Sequence, residues 1–507
     1  MSLLSSIDFH VQTLSNRAKS LTAAPSLEEY GRVQSTGDGT ALVSGLNDVQ
    51  LNEIIVFENG ARGLAASLES SYIGVILLDA AAGIKAGGRV QKTGEVVQVP
   101  TGEQLLGRVV DPLGRPLDDG LPLTNTIRQP IERAAPPIID REFITEPLTT
   151  GVLAIDALIP LGRGQRELII GDRGTGKTTL AVDAIINQRR SDVVSIYVAI
   201  GQKAVSIRQV IETVKTHGNI NRCIFVVAPA DAPAGLQWIA PYSACAIAEH
   251  FRDSGGHSLM VIDDLTKHAN IHRQLSLLLR DSPGREAYPS DVFYLHARLL
   301  ERAAKLSSPR GGGSLSALAI AETQAGDISA YIPTNLISIT DGQLYLDTHL
   351  FSQDRKPAID IGKSVSRVGG KAQPPAVKRM SGSLKLAYAQ FLELESFTRF
   401  GHVSDEGVTR ELAHGEQIRA MLRQPQWQPL STAGQIAVLA AIRDRLLEGI
   451  SLQSLPALRA ELDEKLWSEN GALASVFETG ALLSASDEEA LGAWLKRYIA
   501  QWRGSEN

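Results

Sequence analysis

The sequence predicts a multidomain protein with three successive folds: a small all-β N-terminal domain, a central parallel α/β domain built on a phosphate-binding loop, and a helical C-terminal domain. Three observations carry this. Short β-rich runs recur at roughly ten-residue spacing between Tyr30 and Pro100. Strand and helix patterns alternate between Gly151 and Pro375. Apolar residues then repeat at helical spacing over roughly the last 130 residues. The length of 507 residues agrees, at a prior of about 150 residues per domain.

In the N-terminal domain the runs are TALVSGL, EIIVFENGARGLAASL, YIGVILL and RVQKTGEVVQVP. Asn59-Gly60 lies between two apolar runs and signals a hairpin, because both residues tolerate positive φ. Such strands fit a small barrel or a sandwich. Residues 101–150 are rich in turn formers (DPLGRPLDDGLPL, RAAPPIID) and read as a connection over the surface. In the central domain ELIIG, SIYVAI, CIFVVA, SLMVID and SLSALAI are nearly continuous apolar strands, as expected where helices cover both faces of a parallel sheet. TTLAVDAIINQR and SIRQVIETVKTHG are helical segments between them. Gly311-Gly312-Gly313 reads as a mobile loop before a strand. In the C-terminal domain Ile436, Leu439, Ile442 and Leu446 mark an amphipathic helix. Leu491, Trp494, Leu495, Tyr498, Ile499 and Trp502 form one apolar stripe on another, with Ser486 and Glu489 as its capping box. Domain boundaries are placed at 1–27, 28–95, 96–375 and 376–507.

A 43% hydrophobic content suffices for folded cores, and a net charge of −6 does not favour nucleic acid. Cys223 and Cys245 each lie in an apolar run and read as buried side chains rather than a disulfide or a reactive thiol. No apolar run approaches the ~20 residues that span a bilayer, and the start of the chain is a poor signal peptide. The expectation is a soluble chain that reaches membranes only through partners.

The chemistry centres on Gly171, Asp172, Arg173, Gly174, Thr175, Gly176, Lys177 and Thr178, which fit G-x-x-x-x-G-K-[ST] between a strand and a helix. Its glycines let backbone N–H groups curl around phosphate oxygens, and the helix N-terminus adds positive potential. Lys177 would reach the β- and γ-phosphates and Thr178 would ligate Mg²⁺. About 85 residues on, the apolar strand SLMVID ends in Asp263, a second candidate for holding Mg²⁺, through water. In catalytic relatives of this fold a glutamate follows the next strand and activates water. Here SIYVAI leads to Gln202, a neutral amide that orients water without taking its proton. A general base contributes about 10²–10⁴-fold, so binding without efficient turnover is expected, although some GTPases use glutamine. Arg367, on the Gly/Ser-rich loop KSVSRVGG, suits either a surface ion pair or a finger given to a neighbour; spacing alone favours the ion pair. His268 and His272 stand four apart without a third ligand and read as a solvated helix face rather than a metal site. Lys267 lies near Asp263 in sequence, with no role that the sequence assigns.

Several ordered segments together resemble the alpha subunit of F-type ATP synthases: LGRVVDPLGRPLD, IDALIPLGRGQRELIIGDRGTGKTT, DAIINQ, SLLLRDSPGREAYPSDVFYLHARLLERAAK, ETQAGDISAYIPTNLISITDGQLYLD and KSVSRVGG. The resemblance covers roughly residues 28–505 and is strongest between 100 and 375. It implies a β-barrel, a RecA-like P-loop domain and a C-terminal helical bundle. It implies an alternating hexamer of three alpha and three beta chains around a gamma stalk, joined by a peripheral stalk to a membrane ion-translocating sector on the cytoplasmic face of a bacterial inner membrane. By the same resemblance the alpha site holds Mg-ATP (or ADP) without turnover, Arg367 reaches the γ-phosphate bound by beta, and Ser364 is needed for activity. It reverses the reading of Arg367 from ion pair to finger. Gln202 stands where beta chains have glutamate. An adenine pocket would include Pro357, Gln424 and Gln426. The chain departs from the family at Lys356, usually arginine, at Gly174, usually glutamine, and in its first 25 residues, where the peripheral stalk docks; this suggests an alternative F-type complex. Two rival readings are a self-sufficient hexameric ATPase, of secretion or helicase type, and a nucleotide-binding scaffold with no part in ion translocation.

Overall fold

The computed structural model describes residues 30–124, 126–398 and 406–505. The N-terminal segment expected to dock a peripheral stalk lies outside the described residues.

The N-terminal runs form β1 (Tyr30–Gly37), β2 (Thr40–Ser44), β3 (Glu53–Phe57), β4 (Arg62–Leu68), β5 (Ile73–Leu77) and β6 (Arg89–Val96). They close into a barrel in the order β1-β2-β5-β4-β3-β6. Closure removes the unpaired edges that a small sheet would otherwise expose. Alternation along the strands turns Val43, Ile55, Phe57 and Val75 into the barrel core. Asn59-Gly60 does turn the chain between β3 and β4: Gly60 N donates to Phe57 O and Phe57 N to Ala61 O, each at 2.8 Å. Only Gly60 takes a left-handed conformation there, at φ 81°.

The segment 101–150 does more than run over the surface. β7 (Gln98–Thr101) pairs with β9 (Ile127–Pro130), and β8 (Val109–Val110) joins the central sheet as a parallel edge strand beside Phe225 and Val226. Leu105, Val110, Leu113 and Ile131 are buried. Turn residues interrupt these apolar positions so closely that no run reads as a strand.

The central sheet adds β10 (Arg166–Asp172), β11 (Val193–Gln202), β12 (Cys223–Pro229), β13 (His257–Asp263), β14 (Ser314–Thr323), β15 (Gly342–Leu346) and β16 (Val365–Ser366). Its order is β16-β15-β10-β14-β13-β11-β12-β8. Every pairing is parallel except that of β15 with β16. Strands β10 and β13 flank β14, so their ends stand two strand spacings apart, about 10 Å. A side chain on the helix Lys177–Asn187 spans that gap. Gly311-Gly312-Gly313 is a turn packed at its last residue: Gly311 and Gly312 take φ 95° and 68°, and a Cβ on Gly313 would collide with the Arg252 carbonyl. Cys223 and Cys245 are free and buried, and burial pushes both thiols up to about 12.

The helical part begins at Pro375–Ser381 and ends at Ala485–Ser505. Its apolar core is continuous with one face of the sheet, through Ile155, Leu158, Met380 and Ile436. The helix Thr432–Arg443 is not amphipathic, contrary to what its spacing suggested. Every residue from Ala433 to Ile442 is buried, because helices 375–381, 455–469, 471–478 and 485–505 pack around it. Leu446 lies beyond its end. The stripe on the last helix is as expected, with Leu491, Trp494, Leu495, Tyr498 and Ile499 buried and Trp502 partly so. Its capping box is Ser484 with Asp487, two residues before the expected Ser486 and Glu489. Asp487 N donates to Ser484 Oγ and Ser484 N to Asp487 Oδ2, both at 3.2 Å. Both pairs have the same spacing, and only the start of the helix at Ala485 separates them. Among the described residues no helix is long and apolar enough to cross a membrane.

Candidate nucleotide site and arginine loop

The phosphate loop leaves the C-terminal end of β10 and enters the helix Lys177–Asn187. Gly174 and Gly176 take φ 82° and 96°, a conformation that side chains other than glycine rarely adopt. Lys177 is 6% exposed, and its Nζ donates to Gly171 O at 2.9 Å and Asp172 O at 2.7 Å. Glu322 Oε1 stands 4.0 Å from the same ammonium. Burial pushes the Lys177 pKa down, against the attraction of Glu322, Asp264, Asp263 and Asp172. The Asp172 side chain turns away from the loop: Oδ1 accepts from Thr323 Oγ1 at 2.6 Å and Gly326 N at 2.9 Å, tying the loop to the end of β14.

Asp263 closes β13 at 3% exposure and collects three donors, each at 2.8 Å. Thr178 Oγ1 and Tyr197 OH donate to Oδ2, and Gln202 Nε2 donates to Oδ1. A hydroxyl and a carboxylate in contact are hard oxygen donors that fit Mg²⁺. Gln202 commits its amide nitrogen to Asp263, and a carboxylate in its place would face Asp263 as a like charge. Tyr197 was not singled out in the sequence, because an aromatic within SIYVAI reads as core. Lys267 pairs with Asp264 rather than Asp263: its Nζ lies 3.2 Å from Asp264 Oδ2, and its N–H donates to Asp264 Oδ1 at 2.7 Å.

A cleft of about 770 Å³ runs from Arg173, Gly174, Thr175, Gly176, Lys177 and Thr178, past Gln202, Asp263 and Glu322, to Pro357, Gln424 and Gln426. Gly171 and Asp172 lie behind the loop and act through their carbonyls. Gln424 lines the cleft, but its amide is taken up by backbone. Oε1 accepts from Leu153 N at 3.1 Å, and Nε2 donates to Gly151 O and Gln428 O at 2.8 Å. It builds the pocket wall, and Gln426 is the other glutamine at this end of the cleft. Phe351, Trp427 and Asp183 line the same end, and the sequence reading passed over all three. Asp183 Oδ1 accepts from Trp427 N at 2.7 Å, and burial pushes this carboxyl up to about 7. Lys356 holds its Nζ 5.0 Å from the Phe351 ring centre and 3.0 Å from Asp354 Oδ1.

Ser364 and Arg367 are not part of this cleft. Ser364 is 3% exposed; its Oγ donates to Asp360 O at 2.6 Å and accepts from Tyr345 N at 2.9 Å, binding its loop to β15. Arg367 is exposed, and the contact recorded for its guanidinium is Ile337 O at 3.5 Å. Arg367 N donates to Asp341 O at 2.8 Å, and Asp341 pairs with Arg166 at the start of β10. The P-loop leaves the other end of β10, roughly 20 Å away at about 3.3 Å per residue.

The two histidines contradict the expectation of a solvated face. His268 is 0% exposed; its Nε2 lies 2.9 Å from Trp238 O and its Nδ1 3.2 Å from His296 Nε2. His272 Nδ1 accepts from Trp238 Nε1 at 3.2 Å, and its Nε2 lies 3.0 Å from Asp291 Oδ1. The helices Ala234–Asp253 and Val292–Leu300 cover that face. No cluster of three or more His, Cys, Asp or Glu side chains that could hold a metal occurs among the described residues.

Comparison with known proteins agrees with this architecture. Residues 27–94 match the beta-barrel domain of the ATP synthase alpha/beta family, 151–366 its nucleotide-binding domain and 373–498 its C-terminal domain. ATP synthase subunit alpha 1 of Paraburkholderia xenovorans (strain LB400) is 59% identical over 443 residues, 87% of this chain and 87% of that protein. ATP synthase subunit alpha 3 of the same organism is 56% identical over 474 residues, 94% of this chain and 89% of that protein. ATP synthase subunit alpha 2 of Burkholderia pseudomallei (strain 1710b) is 58% identical over 443 residues, 87% of this chain and 66% of that protein. With a closed barrel, a P-loop sheet and a helical end in the matching order, the chain belongs to the ATP synthase alpha/beta family, on its alpha-subunit side.

Proposed function

We propose that the chain is the regulatory, non-catalytic alpha subunit of a rotary F-type ATP synthase. It binds Mg-ATP or ADP in its own cleft and supplies Arg367 to the catalytic site of an adjacent beta subunit. The complex makes or hydrolyses ATP in step with ion translocation. Its partners are beta in an alternating hexamer, the gamma stalk, the peripheral stalk and a membrane ion-translocating sector. The chain would sit as a peripheral protein on the cytoplasmic face of a bacterial inner membrane.

One observation carries this reading. Arg367 is exposed, forms no ion pair among the described residues, and lies across the sheet from its own P-loop. An arginine side chain is far shorter than the roughly 20 Å of β10, so this cation serves the ligand of another chain. Ser364 supports the same loop from inside. Within the cleft, Lys177 would meet the phosphates, and Thr178 and Asp263 would hold Mg²⁺, which when bound neutralises phosphate charge. Gln202 orients water without accepting its proton. Glu322 is the remaining carboxylate at this end, and it faces Lys177.

The test is Arg367→Ala in the assembled complex. Multisite turnover should fall about 10³–10⁵-fold, while nucleotide binding to this chain stays intact. Undiminished turnover sinks the reading. The rival, a self-sufficient ATPase, would have to use Glu322 as its base. It predicts rapid hydrolysis by the chain alone that Glu322→Gln abolishes.

A further inference from the structure

The loop that carries Arg367 hangs on a buried polar chain that the nucleotide site does not use. Glu167, second residue of β10, is 1% exposed, and Gln165, just before the strand, is 2% exposed. Gln165 Nε2 donates to Glu167 Oε2 at 2.7 Å and to Ser366 Oγ at 3.1 Å, and Gln165 Oε1 accepts from Gly162 N at 2.9 Å. Both amide hydrogens and the carbonyl are committed, so the amide has a single orientation. Ser366 Oγ then donates to Pro160 O at 2.7 Å and accepts from Gly369 N at 3.1 Å. One hydroxyl therefore pins the backbone on both sides of Arg367, while the side chain itself is exposed.

The anchor of the chain is costly, and the fold gives it room. Glu167 Oε1 is buried without a hydrogen-bond partner. Gly342 leaves the necessary space: a Cβ there would stand 2.6 Å from Glu167 Oε2 and 3.0 Å from Oε1. Burial lifts the carboxyl well above its usual range, Asp341 adds to the effect, and Gln165 and Arg367 oppose it. An isolated buried carboxyl is unfavourable, and an apolar side chain would fill the same place more cheaply.

We propose that Glu167, acting through Gln165, is a positioning residue for Arg367: the buried carboxyl locks the Gln165 amide, and the amide locks the loop that presents the guanidinium to a neighbouring subunit. The inference rests on the reading of Arg367 as a finger given in trans. A loop free to shift by about 1 Å loses up to roughly 10²-fold in rate, because the cation must meet charge at one point. A neutral amide at position 167 accepts the same hydrogen bond from Gln165.

The test uses the assembled complex. Glu167→Leu and Gln165→Leu should each lower multisite kcat about tenfold or more, with KM and bound nucleotide unchanged, and Glu167→Gln should stay within about twofold of the unaltered complex. Added to Arg367→Ala, neither leucine substitution should slow turnover further, since both act through the same guanidinium. Unaltered kcat per assembled complex in both leucine variants overturns the proposal, even if melting temperature falls. A Glu167→Gln complex as slow as Glu167→Leu also overturns it. If Glu167→Leu does not assemble, Gln165→Leu decides. Full multisite turnover in Arg367→Ala alone removes the finger reading, and is distinguishable because it leaves the leucine variants no cation to misplace.

Discussion

At Asp263 one carboxylate accepts from a threonine, a tyrosine and a glutamine, and on the proposed reading the neutral glutamine makes this a binding site rather than a hydrolytic one. Gln202 could be read from the strand that precedes it. Its bond to Asp263 could not, because the partner lies 61 residues away. Lys177 is the main charge that the cleft offers a phosphate. Lys177→Ala should weaken Mg-ATP binding to this chain by about 1.5–3 kcal/mol, roughly 10- to 100-fold, and slow the assembled complex less than Arg367→Ala. Equilibrium binding beside steady-state rates checks this, and equal losses of rate in the two variants would point to a catalytic P-loop. Asp183 gives a prediction in pH. Its carboxyl is raised from 3.8 to about 7, so between those values the native state holds a proton that the unfolded chain has released. Stability from this group is fully present below pH 3.8 and is lost as pH rises through about 7. Asp183→Asn should flatten that loss, so that the melting temperature of the variant gains on the parent between pH 4 and 7.5. A constant difference across that range would show that the carboxyl does not titrate as burial demands.

Elements show where periodicity informs and where it misleads. The last helix presents one apolar stripe to the bundle, and its sequence says so because only one side is covered. Helix Thr432–Arg443 is covered on all sides, and its alanines, silent in a stripe, let four helices approach. Helix Leu265–Leu278 buries two histidines by giving each ring nitrogen a partner, and those partners come from helices distant in the chain. Single-sequence spacing contains nothing of this. Capping is legible as a motif but not in its register. Ser484→Ala should cost about 0.5–2 kcal/mol of stability and Ser486→Ala much less, a contrast that chemical denaturation measures. Equal costs would return the cap to Ser486.

Over the whole molecule, the length of the sheet separates the P-loop from the arginine loop. Lys177, Thr178 and Asp263 gather at the C-terminal ends of β10 and β13, while the arginine loop leaves by the antiparallel β16 at the other end. The chain by itself should therefore bind nucleotide and turn it over slowly, and isolation from its native membrane should bring beta and gamma chains with it. Motor-like hydrolysis by the lone chain, or its recovery as a homo-oligomer without those partners, would sink the alpha reading. Sequence alone was enough for the three-part order, the P-loop, Asp263, the neutral Gln202 and the strands of the parallel sheet. These are local patterns whose physics is complete within a few consecutive residues. Tertiary structure decided that the barrel closes, that 101–150 supplies an edge strand, that Gln424 braces a wall and that His268 is buried. It also decided that Arg367 lies beyond reach of its own P-loop. Each of these depends on which distant segment supplies the hydrogen-bond partner or the covering surface, and a one-dimensional pattern carries no record of that.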